Sequence, residues 1–141
     1  MVYGIGCDLC SIARMEKSLL GPHGAVFARR VFGPAEQAAL SLPLAEEEGT
    51  ARRTAHTVAS AAADFAAKEA FLKAAGTGLR EPFSLCEIEA VRLPSGAPNY
   101  RFSGKTAEWV AAHHLTAKLS LSHDGGMALA FCTLEQLPPE T

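Results

Sequence analysis

Residues Phe65–Gly78, with the sequence FAAKEAFLKAAGTG, give the clearest indication of how this chain folds. Apolar side chains recur at steps of four and three, the spacing that lines one face of a helix, and a carboxylate falls on that same face. The face contains Val58, Ala62, Phe65, Glu69 and Leu72. A carboxylate among apolar groups loses solvation, which is costly unless a cation or a metal compensates. Lys73, four residues beyond Glu69, is one candidate partner, so the segment predicts either a Glu69–Lys73 pair or a metal ligand.

The rest of the chain is organised around this helix, which we expect to begin near Arg52 and to stop at Gly76. Upstream, the patterns predict a strand over Val2–Cys7, a helix capped by Ser11 that ends near Leu20, a helix over Val26–Phe32, a helix that begins at Pro34, and a polar mobile loop over Pro43–Gly49. Downstream, they predict strands over residues 85–91, 99–102, 117–122 and 127–134, and a helix over residues 103–114. Asp124-Gly125-Gly126 marks a hairpin between the last two strands.

The order of these elements indicates the fold class. Helices dominate the first half and strands the second, which predicts an α+β fold with a long central helix packed on a mainly antiparallel sheet. We expect one domain over residues 1–135 and a frayed C-terminal tail over residues 136–141.

Composition narrows the classes of function. Of 141 residues, 48% are hydrophobic and 20% charged, and 13 basic against 15 acidic residues give a net charge of −2. These values are typical of a globular protein and give no general indication of nucleic-acid binding. No apolar run approaches the roughly 20 residues that span a bilayer, so no membrane partner is expected. The N-terminus lacks the features of a secretory signal, and we therefore expect a cytoplasmic protein whose cysteines are thiols.

Cys7 and Cys10 form a CxxC motif, which the sequence places between the first strand and the first helix. A redox pair of the thioredoxin type would stand there, where a helix N-terminus stabilises a thiolate. A buried, unreactive Cys7 explains the motif as well. Cys86 and Cys132 are single, so no second CxxC completes a tetrahedral zinc site.

Three further positions have both a structural and a functional interpretation. Asp8 can close the turn after the first strand, and His123, beside the predicted hairpin, can be a hydrogen-bonded structural group. The segment Gly76-Thr77-Gly78 can stop the helix, and its backbone N–H groups can also cradle a phosphate. From the residues alone, these alternatives stay open.

Four blocks of the sequence, taken together, resemble one family. They are GIGCDLCSIARMEKSL from residue 4, FARRVFGPAE from residue 27, DFAAKEAFLKAAGTGL from residue 64 and LSLSHDGGMALAF from residue 119. The chain resembles the holo-[acyl-carrier-protein] synthases, the small bacterial class of 4′-phosphopantetheinyl transferases, in the expected order from Val2 to about Phe131. The pairing of GIGxD with FAAKEAFxKAxGTG makes the resemblance specific.

The resemblance implies an activity: a serine of an apo acyl carrier protein attacks the β-phosphate of coenzyme A, and adenosine 3′,5′-bisphosphate leaves. It also implies that Asp8 and Glu69 are Mg²⁺ ligands, as suits hard oxygen donors. Lys73 matches the lysine that reaches the phosphates, which completes the expected catalytic set of Asp8, Glu69 and Lys73. Lys68 is a further candidate phosphate neighbour. The general base stays open between a metal-bound water near Glu69 and Asp8 itself.

Other positions match the family's binding surfaces. By resemblance, His123 lies near the nucleotide and Gly76, Thr77 and Gly78 lie beside the bound coenzyme. The family docks its acidic carrier on the first helices, where the matching positions are Arg14, Phe27, Arg29 and Arg30. Family members are trimers with active sites shared between neighbours, so a homotrimer is expected.

One residue departs from the family pattern. Asp64 stands where an arginine is common, and the change reverses a charge near the expected site. Two other classes of function stay as alternatives to the enzyme: a non-catalytic carrier-protein-binding module that keeps the fold, and a CxxC thiol oxidoreductase.

Overall fold

The computed structural model describes residues 1–44 and 51–138, and the side chains of the second range from Thr54 onwards. Most of the predicted loop over Pro43–Gly49 and the last three residues of the predicted tail therefore lie outside the described residues. Within the two ranges, no helix is long and apolar enough to cross a membrane.

Five helices and five strands make up the described fold. They are β1 (Val2–Ser11), α1 (Ile12–Leu20), α2 (Gly24–Val31), α3 (Pro34–Leu40), α4 (Ala51–Ala75), β2 (Ile88–Arg92), β3 (Pro98–Phe102), α5 (Gly104–Ala112), β4 (Leu115–Asp124) and β5 (Met127–Gln136). The strands form an antiparallel three-stranded sheet in the order β1-β5-β4 and a separate antiparallel hairpin of β2 and β3. The predicted α+β fold class, with a long helix packed on antiparallel sheet, is confirmed.

The local signals of the sequence place most element ends correctly. The Ser11 hydroxyl caps α1 by accepting a hydrogen bond from the Arg14 backbone N–H at 3.2 Å. Pro34 begins α3, and Gly76 follows the end of α4 with a φ of 84°, which favours glycine. Gly125 and Gly126 form the two-residue turn between β4 and β5, both with positive φ.

Two predicted boundaries are wrong by three residues or more. Strand β1 continues to Ser11, because its residues pair with β5 as far as Met127. The strand predicted over residues 85–91 begins in the structure at Ile88, three residues later than predicted, because Leu85–Glu87 form a 3₁₀ turn before β2.

The first residues of the predicted tail are bonded to the domain. Gln136 pairs with Leu115 at the end of β5, and the Leu137 backbone N–H donates to the His114 carbonyl oxygen at 2.9 Å.

Helix α4 packs directly against β1 through two glycines. A Cβ atom at Gly4 or Gly6 would overlap the carbonyl oxygen of Ala74 or Ala70, respectively. Only glycine permits strand and helix backbones to approach so closely. The alanines of α4 serve the same contact, since Ala66, Ala67 and Ala70 are fully buried under the sheet.

A buried ionic cluster joins α4 to α3 and β2. The Lys68 ammonium is fully buried, pairs with the Glu36 carboxylate, and donates to the Ile88 and Leu85 carbonyl oxygens at 2.6 and 3.0 Å. Glu36 also accepts from the backbone N–H groups of Gly33 and Ala90, at 3.0 and 3.1 Å. Each buried charge therefore has several partners, which a buried ion pair requires.

We expect Lys68→Met to destabilise the protein strongly. The change leaves the Glu36 carboxylate buried without its cation, and breaking a buried pair in this way costs about 3–5 kcal/mol. The free energy of unfolding, from urea denaturation, measures the effect. The matched control is Lys105→Met at an exposed position of α5, which should change the free energy of unfolding by less than about 0.5 kcal/mol. Equal stability of the two variants would contradict the structural role of Lys68.

Candidate active site

Asp8 and Lys73 form an ion pair on the surface between β1 and α4. The Lys73 ammonium donates to Asp8 Oδ1 at 3.0 Å and to the Cys7 carbonyl oxygen at 2.9 Å. The Asp8 side chain is 18% exposed and the Lys73 side chain 55% exposed. The hydrogen bond and charge of Asp8 raise the pKa of Lys73, which therefore stays a cation.

Glu69 lies beside this pair, on the turn of α4 before Lys73. It is half-buried, and loss of solvation raises its pKa, as does the negative charge of Asp8, while Lys73 opposes the shift. The sequence left a Glu69–Lys73 pair open, but the ion pair that the structure gives Lys73 is with Asp8. The loss of solvation at the Glu69 carboxylate is therefore only partly compensated, as the position of Glu69 on an apolar helix face predicted.

The strand register explains why Asp8 meets α4. Asp8 pairs with Ala130 of β5. Ala130 lies on the face of β5 opposite to exposed Phe131, and the β5 residues of that face are buried against α4. Side chains of one strand alternate between faces, so Asp8 shares the helix-facing side with Gly4 and Gly6. Asp8 is therefore a residue within the strand, and its interpretation as a turn-closing group is wrong.

The same alternation separates the two cysteines of the CxxC motif. Cys7 pairs with Phe131 and Cys10 with Ala128, so their side chains point to opposite faces of the sheet. Residues three apart on an extended strand lie roughly 10 Å apart, well beyond the span of a disulfide. All four cysteines are free thiols, and burial raises the pKa of Cys10. The hypothesis of a thioredoxin-like redox pair is wrong, because the motif lies in a strand and not at a helix N-terminus.

Gly76, Thr77 and Gly78 form an exposed segment directly after α4, one turn beyond Lys73. The Gly76 N–H bonds back to the helix carbonyls of Leu72 and Lys73, both at 3.1 Å, which closes the helix. Gly78 also has a positive φ of 68°. The segment is exposed and follows Lys73 by one helical turn. Its contact with a phosphate-bearing ligand stays a prediction.

Lys68 does not lie with Lys73. Its ammonium is buried on the opposite side of α4, in the pair with Glu36. The expectation that Lys68 neighbours a phosphate is therefore wrong, since the side chain has no path to a surface ligand.

The predicted nucleotide-binding residue His123 lies at the other edge of the sheet. It belongs to β4, and β5 separates that strand from the strand of Asp8. His123 lines a cavity of about 800 Å³ together with Asp64, whereas Asp8, Glu69 and Lys73 lie outside the cavity's lining. Within one chain, the predicted site residues therefore lie at two separate locations: the contact of β1 with α4, and the cavity beside the end of β4.

Sequence analysis missed this cavity, although a signal for it was present. His56, Ser60 and Asp64 recur every four residues and so share one face of α4, where all three line the cavity. Arg92 reaches the same cavity from β2, a contact that no sequence spacing indicates.

The predicted docking residues lie on the surface of α1 and α2. Arg14, Arg29 and Arg30 are exposed and Phe27 is partly buried, with its ring packed edge-on against Phe32. Arg14 also lies close enough to Cys10 for its charge to act on that thiol.

Metal ligation at Asp8 and Glu69 depends on groups beyond these two side chains. In residues 1–44 and 54–138, no cluster of three or more His, Cys, Asp or Glu side chains could hold an ion. Two adjacent carboxylates, one of them with a raised pKa, nevertheless form a hard oxygen donor set that a divalent cation stabilises. The chemistry of the pair therefore fits Mg²⁺, which typically keeps several water and phosphate ligands.

Comparison with known proteins decides the family. The family model described as 4′-phosphopantetheinyl transferase superfamily matches residues 4–132. The chain belongs to this superfamily.

Individual relatives agree with that assignment. A holo-[acyl-carrier-protein] synthase of Methylobacterium radiotolerans is 42% identical over 143 residues, which covers 98% of this chain and 96% of the relative. The crystal structure of the synthase from Neisseria meningitidis matches with a TM-score of 0.76 at 29% identity, over 96% of this chain and all of the other. A Bacillus anthracis synthase in complex with CoA (3′,5′-ADP) matches with a TM-score of 0.71 at 30% identity, over 97% and 99% of the two chains.

Proposed function

We propose that this protein transfers 4′-phosphopantetheine from coenzyme A to a serine of an apo acyl carrier protein. The single observation that carries the proposal is the group of Asp8, Glu69 and Lys73, placed together by β1 and α4 in a chain of this superfamily. The serine hydroxyl gives its proton to a general base, for which Asp8 and a water near Glu69 are the candidates, and its oxygen forms a bond to the β-phosphorus of coenzyme A. The bond from that phosphorus to the bridging oxygen breaks, and adenosine 3′,5′-bisphosphate leaves.

The residues of the site suit a reaction that depends on positioning and charge neutralisation. Asp8 and Glu69 would hold Mg²⁺, which supplies positive charge to the diphosphate when bound. Lys73 is an exposed point cation beside them, and in the free protein Asp8 orients its ammonium. Gly76, Thr77 and Gly78 follow the end of α4 beside the proposed coenzyme site, where the backbone N–H groups of Thr77 and Gly78 would donate to the coenzyme. The Gly76 N–H is bonded to the carbonyl oxygens of Leu72 and Lys73 and closes the helix.

We further propose that the active unit is a homotrimer with sites shared between subunits. The face of the sheet turned away from α4 carries large apolar side chains that are exposed: Ile5 at 61%, Leu9 at 60% and Phe131 at 41%. A contiguous apolar face of this kind is typical of an interface. His123 is at the opposite edge of the sheet from Asp8, so a neighbouring subunit can supply the His123 side of one site.

The carrier protein is the second partner in this proposal. Arg14, Arg29 and Arg30 present positive charge around Phe27, although the chain as a whole has a net charge of −2. Such local complementarity steers and orients an acidic helical partner. Free thiols at all four cysteines agree with the reducing cytoplasm, where we place the reaction.

We expect Asp8→Ala and Glu69→Ala each to abolish transfer, because each removes half of the carboxylate pair. The measurement is the mass of an apo carrier protein incubated with coenzyme A and Mg²⁺, in which transfer adds one phosphopantetheine. The control is Cys7→Ser with Cys10→Ser in the same strand, which should retain transfer. A wild-type chain that binds the carrier without modifying it, in any divalent metal, would support the non-catalytic module instead.

We expect Arg29→Glu with Arg30→Glu to raise the KM for the carrier protein about tenfold or more, with the KM for coenzyme A unchanged. The salt dependence of the KM for the carrier should also weaken, because screened attraction contributes less after the change. Lys105→Glu on α5 is the matched control and should leave both constants unchanged. An unaltered KM for the carrier would contradict docking on α2.

Shared sites predict complementation between two defective chains. Asp8→Ala and His123→Ala subunits, co-expressed in equal amounts, should form mixed trimers in which about a third of the sites draw both intact residues from different subunits. Transfer by purified mixed trimers should recover to about that fraction of the wild-type rate. Failure to recover at every mixing ratio would show that Asp8 and His123 act within one chain.

A further inference from the structure

The ammonium of Lys73 lies at the same carboxylate that the proposed metal site requires. It donates to Asp8 Oδ1 at 3.0 Å and to the Cys7 carbonyl oxygen at 2.9 Å. Both acceptors belong to consecutive residues of β1, which is an edge strand of its sheet. Two bonds to one short stretch of backbone therefore hold the ammonium beside Asp8.

Lys73 and a divalent cation compete for this position. Both bind a carboxylate through its oxygens, the ammonium as a hydrogen-bond donor and Mg²⁺ as a directly ligated ion. Glu69 stands one helical turn before Lys73 on α4, so the ammonium brings positive charge to both proposed ligands. Like charges a few ångströms apart repel, and the repulsion is stronger at a partly desolvated group such as Asp8. A divalent cation therefore binds more weakly while Lys73 keeps its place.

The Lys73 side chain is free to change partners. It belongs to the last turn of α4, and more than half of it is exposed. An exposed ion pair contributes little to stability, so this pair opens at low cost. Lys68, by contrast, is fully buried and bonded to a carboxylate and two carbonyl oxygens. Of these two lysines on α4, only Lys73 can serve first Asp8 and then a ligand.

The diphosphate of coenzyme A is the partner to which Lys73 can move. The proposed function brings this diphosphate to the contact of β1 with α4, within reach of the lysine. Its anionic oxygens accept hydrogen bonds from an ammonium as carboxylates do. When Lys73 turns to the diphosphate, Asp8 and Glu69 are left to the divalent cation.

We propose that the Lys73–Asp8 pair is an autoinhibitory contact: in the free protein it weakens the binding of a divalent cation, and the diphosphate of the coenzyme releases it. The inference rests on the proposed function for the identity of the anion. It makes the binding of metal and coenzyme mutually favourable, because coupling between two ligands is reciprocal.

The test is the affinity of the full chain for Mn²⁺ alone, measured from the electron paramagnetic resonance signal of the free ion. Mn²⁺ takes the same oxygen ligands as Mg²⁺. Lys73→Met removes the ammonium and keeps the length of the side chain, so its Kd for Mn²⁺ should be about fivefold to tenfold lower than that of the wild type. Lys73→Arg keeps a cation that pairs with Asp8 and should bind Mn²⁺ no more tightly than the wild type.

Two controls locate the effect. Lys105→Met removes the same charge from an exposed position of α5 and should leave the Kd unchanged. Asp8→Ala with Lys73→Met should lose the gain in affinity, because the carboxylate that Lys73 uncovers is absent. The inference is wrong if Lys73→Met binds Mn²⁺ no more tightly than the wild type, if Lys105→Met shows the same gain, or if the gain persists without Asp8.

Coenzyme A provides the second arm of the experiment. At saturating concentration it should tighten Mn²⁺ binding more in the wild type than in Lys73→Met, since only the wild type has an ammonium to be drawn from Asp8. Chelation of the ion by the diphosphate is common to both proteins and cancels in the comparison. Equal tightening in the two proteins would overturn the inference.

The outcomes for the two proposals can be told apart. Absence of transfer by the wild type in every divalent metal would contradict the proposed function. Transfer by a wild type whose affinity for Mn²⁺ does not depend on Lys73 would contradict only the autoinhibitory contact.

Discussion

The contact between the backbones of β1 and α4 is the constraint on which the candidate site depends. Gly4 and Gly6 leave no room for a side chain between strand and helix. Because the two backbones meet there, Asp8 is carried to within a hydrogen bond of Lys73 and close to Glu69. A larger residue at either glycine would separate the carboxylates that the proposed metal needs together.

Two kinds of contact fix the rotation of helix α4: apolar packing on one side and a buried ion pair on the other. Toward the sheet the contact is apolar and made by alanines, which tolerate small rotations poorly because the interior is close-packed. Toward α3 and β2, Lys68 is fixed by Glu36 and two carbonyl oxygens. Lys68 and Glu69 are consecutive, so the buried cation also sets the direction of the neighbouring carboxylate.

Two carboxyl groups on α4 have raised pKa values, and their surroundings differ. Glu69 is half-buried beside a second carboxylate and an exposed lysine, an environment that a divalent cation completes. Asp64 lies on a different face of α4 from Glu69. It is nearly fully buried, close to Glu36, and it lines the cavity. Perturbed acids of this kind concentrate at functional sites, although structural networks also produce them. Glu69 borders the proposed metal site, and Asp64 lines the cavity that also contains His123.

The sequence by itself determined most of the elements and the residue types from which the candidate site is built. The period of α4, the Ser11 cap, the glycine turn before β5 and the carboxylate on an apolar face are local properties, and local sequence fixes them. Only the tertiary structure decided which groups meet. The partner of Lys73 is Asp8 and not Glu69, Lys68 is buried, and the CxxC cysteines point apart, because strand register and helix packing join residues far apart in sequence. Such contacts have no period along the chain, so the cavity at Asp64 appeared only when the helices and the two sheets were packed together.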